Sequence, residues 1–196
     1  AVSHDLRAPL TGIIGASSSY LENEEKLDMD EKRALVSHIG EDANWLLNMV
    51  ENLLTVTRIR NDSASVNKSL EPVEEVMSEA VFRLKKRIPD ANIRVLLPEE
   101  FVMIPMDATL IEQVLVNLME NAVFHAGSTE PIECRAEIGR DTVTFFVTDQ
   151  GVGIDEDKLE TLFDGTGQTE NSSADGHKGM GIGLSICKTI IVAHGG

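Results

Sequence analysis

Cysteine, basic charge and long apolar runs are all scarce in this chain of 196 residues. The two cysteines, Cys134 and Cys187, sit inside apolar periodic segments, so the sequence predicts packed thiols rather than a disulfide. No CxxC pair or His/Cys ligand spacing exists, and no structural zinc is expected. Lys and Arg number 17 against 33 Asp and Glu, a formal net charge of −16. A nucleic-acid binder needs a basic footprint, so nucleic acid is not an expected partner. The same repulsion argues against an anionic lipid surface. No apolar run approaches the roughly 20 residues that cross a bilayer, and no signal peptide is visible. This stretch is therefore expected to make no membrane contact, with a reducing, cytoplasmic compartment as the default. It begins mid-motif at Ala1-Val2-Ser3 and stops at Gly195-Gly196, which reads as a piece of something longer.

Glycine, by contrast, is concentrated where chemistry would need it. The run Val143–Ile154 is apolar and β-like, then ends in Asp149-Gln150-Gly151-Val152-Gly153. That places a carboxylate at a strand end before two residues able to turn with positive φ and to approach a ligand closely. A second cluster, Gly179-Met180-Gly181-Ile182-Gly183-Leu184, opens into a helix. Backbone N–H groups of such a loop, with the helix dipole behind them, make a phosphate site. Either motif alone is often only a tight turn. An acid able to read a base edge, followed by a phosphate loop, points to a nucleotide.

In chain order, residues 3–22 read as a helix carrying Pro9, with Leu6, Leu10, Ile13, Tyr20 and Leu21 facing a core. His4 falls on another stripe, with Ala8, Thr11, Gly15 and Ser18, which is the face least able to be buried. A second helix runs from about Asp30 to Arg60. Its seam of Leu35, Ile39, Leu46, Met49, Leu53 and Val56 is interrupted by Asp42 and widened by Val36, Ala43, Leu47, Val50 and Leu54. Such a helix wants several neighbours, and a second copy of the chain supplies them most simply, as a four-helix bundle. The expected division is a hairpin over 1–61, a small polar linker over 62–69 and a second domain over 70–196. In that domain strands are predicted near Val66–Leu70, Asn92–Leu97, Phe101–Ile104, Ile132–Ile138 and Thr142–Thr148. Helices are predicted from Pro72 to Arg87, from Asp107 to His125, over Asp155–Phe163 and over Ile182–Ala193. Residues 164–178 have no hydrophobic period and read as a mobile loop. The fold class is α+β: a two-helix hairpin, then an α/β sandwich with a mixed, mostly antiparallel sheet.

Asn117 and Asn121 fall one helical turn apart, so both amides share a face. Their carbonyl oxygens would suit a hard cation already bridged by phosphates, although amides hydrogen-bonded within a core give the same pattern. With both glycine motifs and Ser3-His4-Asp5-Leu6-Arg7-x-Pro9-Leu10, they form four boxes in order. That ordered set resembles the sensor histidine kinases of bacterial two-component systems over nearly the whole chain. HDLR and the following IIGASSS run look most like potassium-sensing (Kdp-type) members. The resemblance implies a dimerisation and phosphoacceptor hairpin followed by a Bergerat-type ATP-binding domain.

At matching positions it implies that His4 attacks the γ-phosphate of ATP, with Asp5 holding the other ring nitrogen as general base. Asn121 would hold Mg²⁺ and Asn117 would support the phosphates. Asp149 would accept from the adenine amino group, and Gly151, Gly153, Gly179, Gly181 and Gly183, with Leu184, would shape the walls. The loop over 164–178 would be a lid closing over ATP, with Lys178 or His177 as its remaining cations. The implied partners are a response-regulator receiver domain and a second copy of the chain. The implied place is the cytoplasmic part of a longer, membrane-anchored sensor. Ala8 stands where threonine or asparagine is common, which puts phosphatase activity in doubt. Phe124 stands where a phosphate-facing lysine is frequent, His125 where an aromatic is, and Leu162-Phe163-Asp164-Gly165 lacks the usual second aromatic. These departures keep open a degenerate kinase, a nucleotide-binding or purely dimeric regulatory module. An ATP hydrolase of the chaperone or topoisomerase type would place a glutamate at Asn117. A coiled-coil scaffold leaves the glycine boxes unexplained.

Overall fold

The computed structural model describes residues 2–61, 66–155, 159, 162–163 and 182–196. The chain divides into two compact units, Ala1–Thr57 and Arg58–Gly196. The first contains α1 (Val2–Asn23) and most of α2 (Met29–Asn61). Asp28 and Glu31 open α2 as a reciprocal cap: Asp28 Oδ1 accepts from Glu31 N–H at 2.8 Å, and Glu31 Oε2 accepts from Asp28 N–H at 2.9 Å. Two orphan donors of the helix start are satisfied that way. Ala16 and Met49 are buried, and Leu35, Ile39 and Leu46 are half-buried. Leu10 and Leu21 of the expected inner face are exposed, a correction to the simple stripe. Val36, Leu47, Val50 and Leu54 are exposed as well, because one helix cannot cover so wide an apolar surface. Asp42, in the seam, points at Gly12 of α1: a Cβ there would overlap the Asp42 carboxylate.

The second unit starts with β1 (Ser69–Pro72), later than the expected Val66–Leu70. Residues 66–68 are committed elsewhere. Lys68 N–H donates to Val66 O at 3.0 Å, and Asn67 N–H donates to Asp107 Oδ2 at 3.3 Å. The ladder opens only beyond them. Helix α3 (Val73–Arg87) follows, with Glu74 and Glu75 in its first turn and Lys85, Lys86 and Arg87 in its last, both complementing the dipole. Its Val73, Val76, Met77, Ala80, Val81 and Leu84 recur at helical spacing and are buried.

Strands β2 (Ile93–Leu96) and β3 (Met103–Met106) do flank Pro98-Glu99-Glu100, but they are not partners. β2 runs parallel to β4 (Ile132–Ile138), and β3 runs antiparallel to β1. The expected Phe101 start slips to Met103 because Val102 O accepts the first helical N–H of α3, from Val73, at 3.0 Å. β4 pairs antiparallel with β5 (Val143–Thr148) through the tight turn Gly139-Arg140-Asp141, closed by Gly139 N–H to Thr142 O at 2.8 Å. The result is a mixed β2-β4-β5 sheet beside a two-stranded β1-β3 sheet, with antiparallel pairings outnumbering the parallel one.

Asp107 caps α4 (Ala108–His125), accepting from Leu110 N–H at 3.2 Å as its residue type requires. The last helix, α5 (Ile182–His194), closes on that cap. Asp107 N–H donates to His194 Nε2 at 3.1 Å, which leaves the other ring nitrogen to donate to Ile190 O at 2.8 Å. Met77, Leu84, Leu115, Met119, Ile186 and Ile190 are fully buried, so the core lies between α3, α4 and α5. Cys134 and Cys187 are buried and free, as the sequence implied, and burial pushes each thiol up to about 11. Among the described residues no helix is long and apolar enough to cross a membrane.

Candidate nucleotide site

Helix α4 is the element on which the expected site residues meet. Asn117 and Asn121 lie one turn apart, both half-buried. Asn117 Nδ2 is buried and makes no hydrogen bond among the described residues. An orphan amide donor of that kind costs about 1–3 kcal/mol, so it marks a place where a ligand acceptor would be welcome. The amide lies close enough to the Cys187 thiol to pull weakly against the upward effect of its burial, without reaching hydrogen-bond geometry. Gly183, in the first turn of α5, presents its Cα hydrogens to the same amide: a Cβ there would stand 4.0 Å from Asn117 Cγ. The positive end of α5 and its N–H groups therefore open beside Asn117. Leu184 is half-buried in that turn.

The Asp149 turn reaches α4 at its C-terminal end. Asp149 is exposed just past β5, and its Oδ1 accepts from Gly151 N–H at 2.8 Å, which fixes the carboxylate by a local turn. Val152 N–H donates to Ala126 O, at the C-terminus of α4, at 3.0 Å. The two glycines serve different needs, where the sequence suggested a turn and a close approach for both alike. A Cβ on Gly151 would overlap the Cα and carbonyl oxygen of Ala126, so glycine is there for close approach. Gly153 has φ +73° with open space around it, so glycine is there for the turn.

Other expected site residues fall elsewhere. His4 and Asp5 lie within α1, but their side chains are outside the described set. Lys178, Gly179 and Gly181, the loop over 164–178 and most of the expected helix Asp155–Phe163 also lie outside the described residues. Glu120, next to Asn121, is turned away: it pairs with Arg87 of α3 at 2.7 Å, and burial raises its carboxyl despite that cation. A separate groove of about 530 Å³ opens between β1, α3 and the start of α4, lined by Glu71, Glu75, Glu79 and Glu112. Its carboxylates would repel phosphates, so it is not the nucleotide site. What residue chemistry did not reveal is the part played by Ala126, whose contribution is a backbone carbonyl.

Residues 1–62 match the His Kinase A (phospho-acceptor) domain, and residues 106–196 match the family of histidine kinase-, DNA gyrase B- and HSP90-like ATPases. The chain is 42% identical, over its full length, to the sensor protein KdpD of Clostridium acetobutylicum. The chain belongs to the sensor histidine kinases. The chain is also 33% identical over its full length to KdpD of Escherichia coli, in line with the Kdp-type likeness of its first box. It spans 22% of the length of each of these two relatives. The fold of the chain is similar to that of histidine kinase ThkA in a crystal structure with response regulator protein TrrA. That likeness has a TM-score of 0.64 and 26% identity, covering 96% of this chain and 52% of that one. Residues 106–196 of the chain are accordingly an ATP-binding domain.

Proposed function

We propose that this chain is the core of a protein-histidine kinase that phosphorylates its own His4 from ATP and passes the phosphoryl group to an aspartate of a receiver domain. The observation that carries the reading is the convergence on α4: an orphan amide at Asn117, the α5 N-terminus beside it, and the Asp149 turn bonded to Ala126. Residues 1–61 serve as the dimerising phosphoacceptor hairpin, 62–69 as linker and 70–196 as the ATP-binding unit. The exposed apolar stripe of α2 is the surface that a second copy would cover. A bound response regulator in the ThkA structure supports a receiver domain as acceptor. The reading places this part in the cytoplasm, within a longer, membrane-anchored sensor.

Phosphoryl transfer is mostly positioning and charge neutralisation. A ring nitrogen of His4 attacks the γ-phosphorus as the bond to the ADP oxygen breaks, and Asp5 takes up the proton lost from the other ring nitrogen. Asn117 donates its amide to phosphate oxygen, and the N–H groups at the start of α5 hold the remaining charge. Asp149 accepts from the adenine amino group with the oxygen that Gly151 leaves open. No cluster of three or more His, Cys, Asp or Glu able to hold a metal occurs among the described residues. Mg²⁺ fits as a hard cation bound mainly by phosphate oxygens plus the amide oxygen of Asn121, and it would neutralise phosphate charge there.

Incubation with γ-labelled ATP tests the assignment. Wild type should gain acid-labile label, His4→Gln none, and Asn121→Ala should lose Mg-ATP binding. Label that persists in His4→Gln removes that acceptor. A second reading, a nucleotide-binding module without transfer, draws on Phe124, 46% exposed on the last turns of α4 where a cation is frequent in the family. ATP binding without label would favour it.

A further inference from the structure

Helix α4 ends in a way that leaves one carbonyl available. Ala126 still has helical geometry (φ −63°, ψ −35°), and its N–H donates to Ala122 O at 3.1 Å. Gly127 then turns left-handed at φ +66° with nothing near its missing Cβ, which stops the helix. The last carbonyls of a helix have no partner within it. Ala126 O takes its partner from the base-reading turn, through Val152 N–H. The contact is close on the side-chain side too: a Cβ on Gly151 would lie 2.6 Å from Ala126 Cβ. Ala126 is only 8% exposed, so a larger side chain there has no open direction to take.

We infer that Ala126 is a positioning residue for Asp149. Its carbonyl and its small side chain set the distance between the base-reading carboxylate and the amides of Asn117 and Asn121, on one rigid helix. Ala126 lies little more than one turn beyond Asn121, so base and phosphate contacts share a single ruler. The inference rests on the nucleotide reading above, and goes beyond it in assigning adenine selectivity to a residue with no polar side chain. Enlarging residue 126 lifts the Asp149 turn, weakens ATP binding and narrows the preference for ATP over GTP. It does not slow transfer from nucleotide once bound.

The test uses the full chain with Ala126→Gly, Ala126→Ser, Ala126→Val and Ala126→Leu. Equilibrium binding of ATP and of GTP is measured, with thermal melts and labelling at saturating ATP. Ala126→Gly, which keeps the carbonyl, should bind like wild type. Affinity for ATP should fall with side-chain size, by about tenfold or more at leucine, with the ATP-over-GTP ratio falling alongside it. Saturated labelling should stay within about twofold of wild type. If leucine does not fold, serine and valine must show the same order. A lowered melting temperature with an unchanged ATP-over-GTP ratio in folded variants overturns the inference, since that is what packing alone would do. Asp149→Asn separates the two failures. If it abolishes ATP preference while the Ala126 series stays flat, positioning alone is wrong. If it leaves ATP binding unchanged, the nucleotide reading falls and the inference with it.

Discussion

The hairpin and the α+β unit handle apolar surface in opposite ways. In Arg58–Gly196 the large core side chains of α3, α4 and α5 close on one another, with Met77, Leu115, Met119 and Ile190 fully buried. In Ala1–Thr57 only Ala16 and Met49 are buried among the described hydrophobics, while Val36 and Leu47 stand more than half exposed. One unit builds its own core; the other presents half of one. The lesson is that a wide apolar helix face in sequence marks surface that one neighbouring helix cannot cover.

The largest expected effect comes from cutting each surface. Leu115→Ala should destabilise the α+β unit by about 2–5 kcal/mol whatever the protein concentration. Leu47→Ala should instead act on the hairpin through association, so its melting loss should depend on dilution. Thermal melts over a concentration series check both, and a hairpin transition indifferent to concentration breaks the contrast.

A smaller effect sharpens the same contrast at two glycines. Gly151→Ala meets backbone atoms of Ala126 that cannot move aside, and about 1–3 kcal/mol of stability should go, with ATP affinity. Gly12→Ala meets only the tip of the Asp42 side chain, which can rotate, so its loss should stay below about 1 kcal/mol. Equal losses in denaturant titrations would show that the two approaches are equally rigid.

The smallest effect is a pH slope. Burial raises the carboxyls of Glu112 and Glu120, against the opposing Arg83 and Arg87. A carboxyl raised in the folded state holds its proton more tightly there than in the unfolded chain. Its contribution is present at and below the ordinary value of 4.5 and is lost as pH rises above it. Glu120→Gln should flatten that fall in the α+β unit. A slope identical to wild type would remove Glu120 from the account.

Local signals in the sequence were legible because local chemistry decides them. Asp107 caps α4, and Gly139-Arg140-Asp141 turns β4 into β5, as their residue types require. Strand partners were not, since nothing within Asn92–Leu97 says that it lies parallel to β4 rather than against its neighbour. The start of β1 was hidden for a related reason: Asn67 is held by Asp107, forty residues away. In the candidate site, amides, the carboxylate and glycines announce themselves by type and spacing. Ala126 does not, because alanine is the commonest of helix fillers and its part is played by the main chain.

The notch between Gly12 and Asp42 has a consequence for the register of α1 against α2. Four residues to either side of Gly12 stand Ala8 and Ala16, each with the methyl group that Gly12 lacks. Slipping one helix along the other by that step would drive a methyl into a carboxylate, or strand a charge against hydrocarbon. Because the carboxylate tip can rotate aside, as it would for a methyl at residue 12, the notch favours one axial setting of α1 against α2 without locking it.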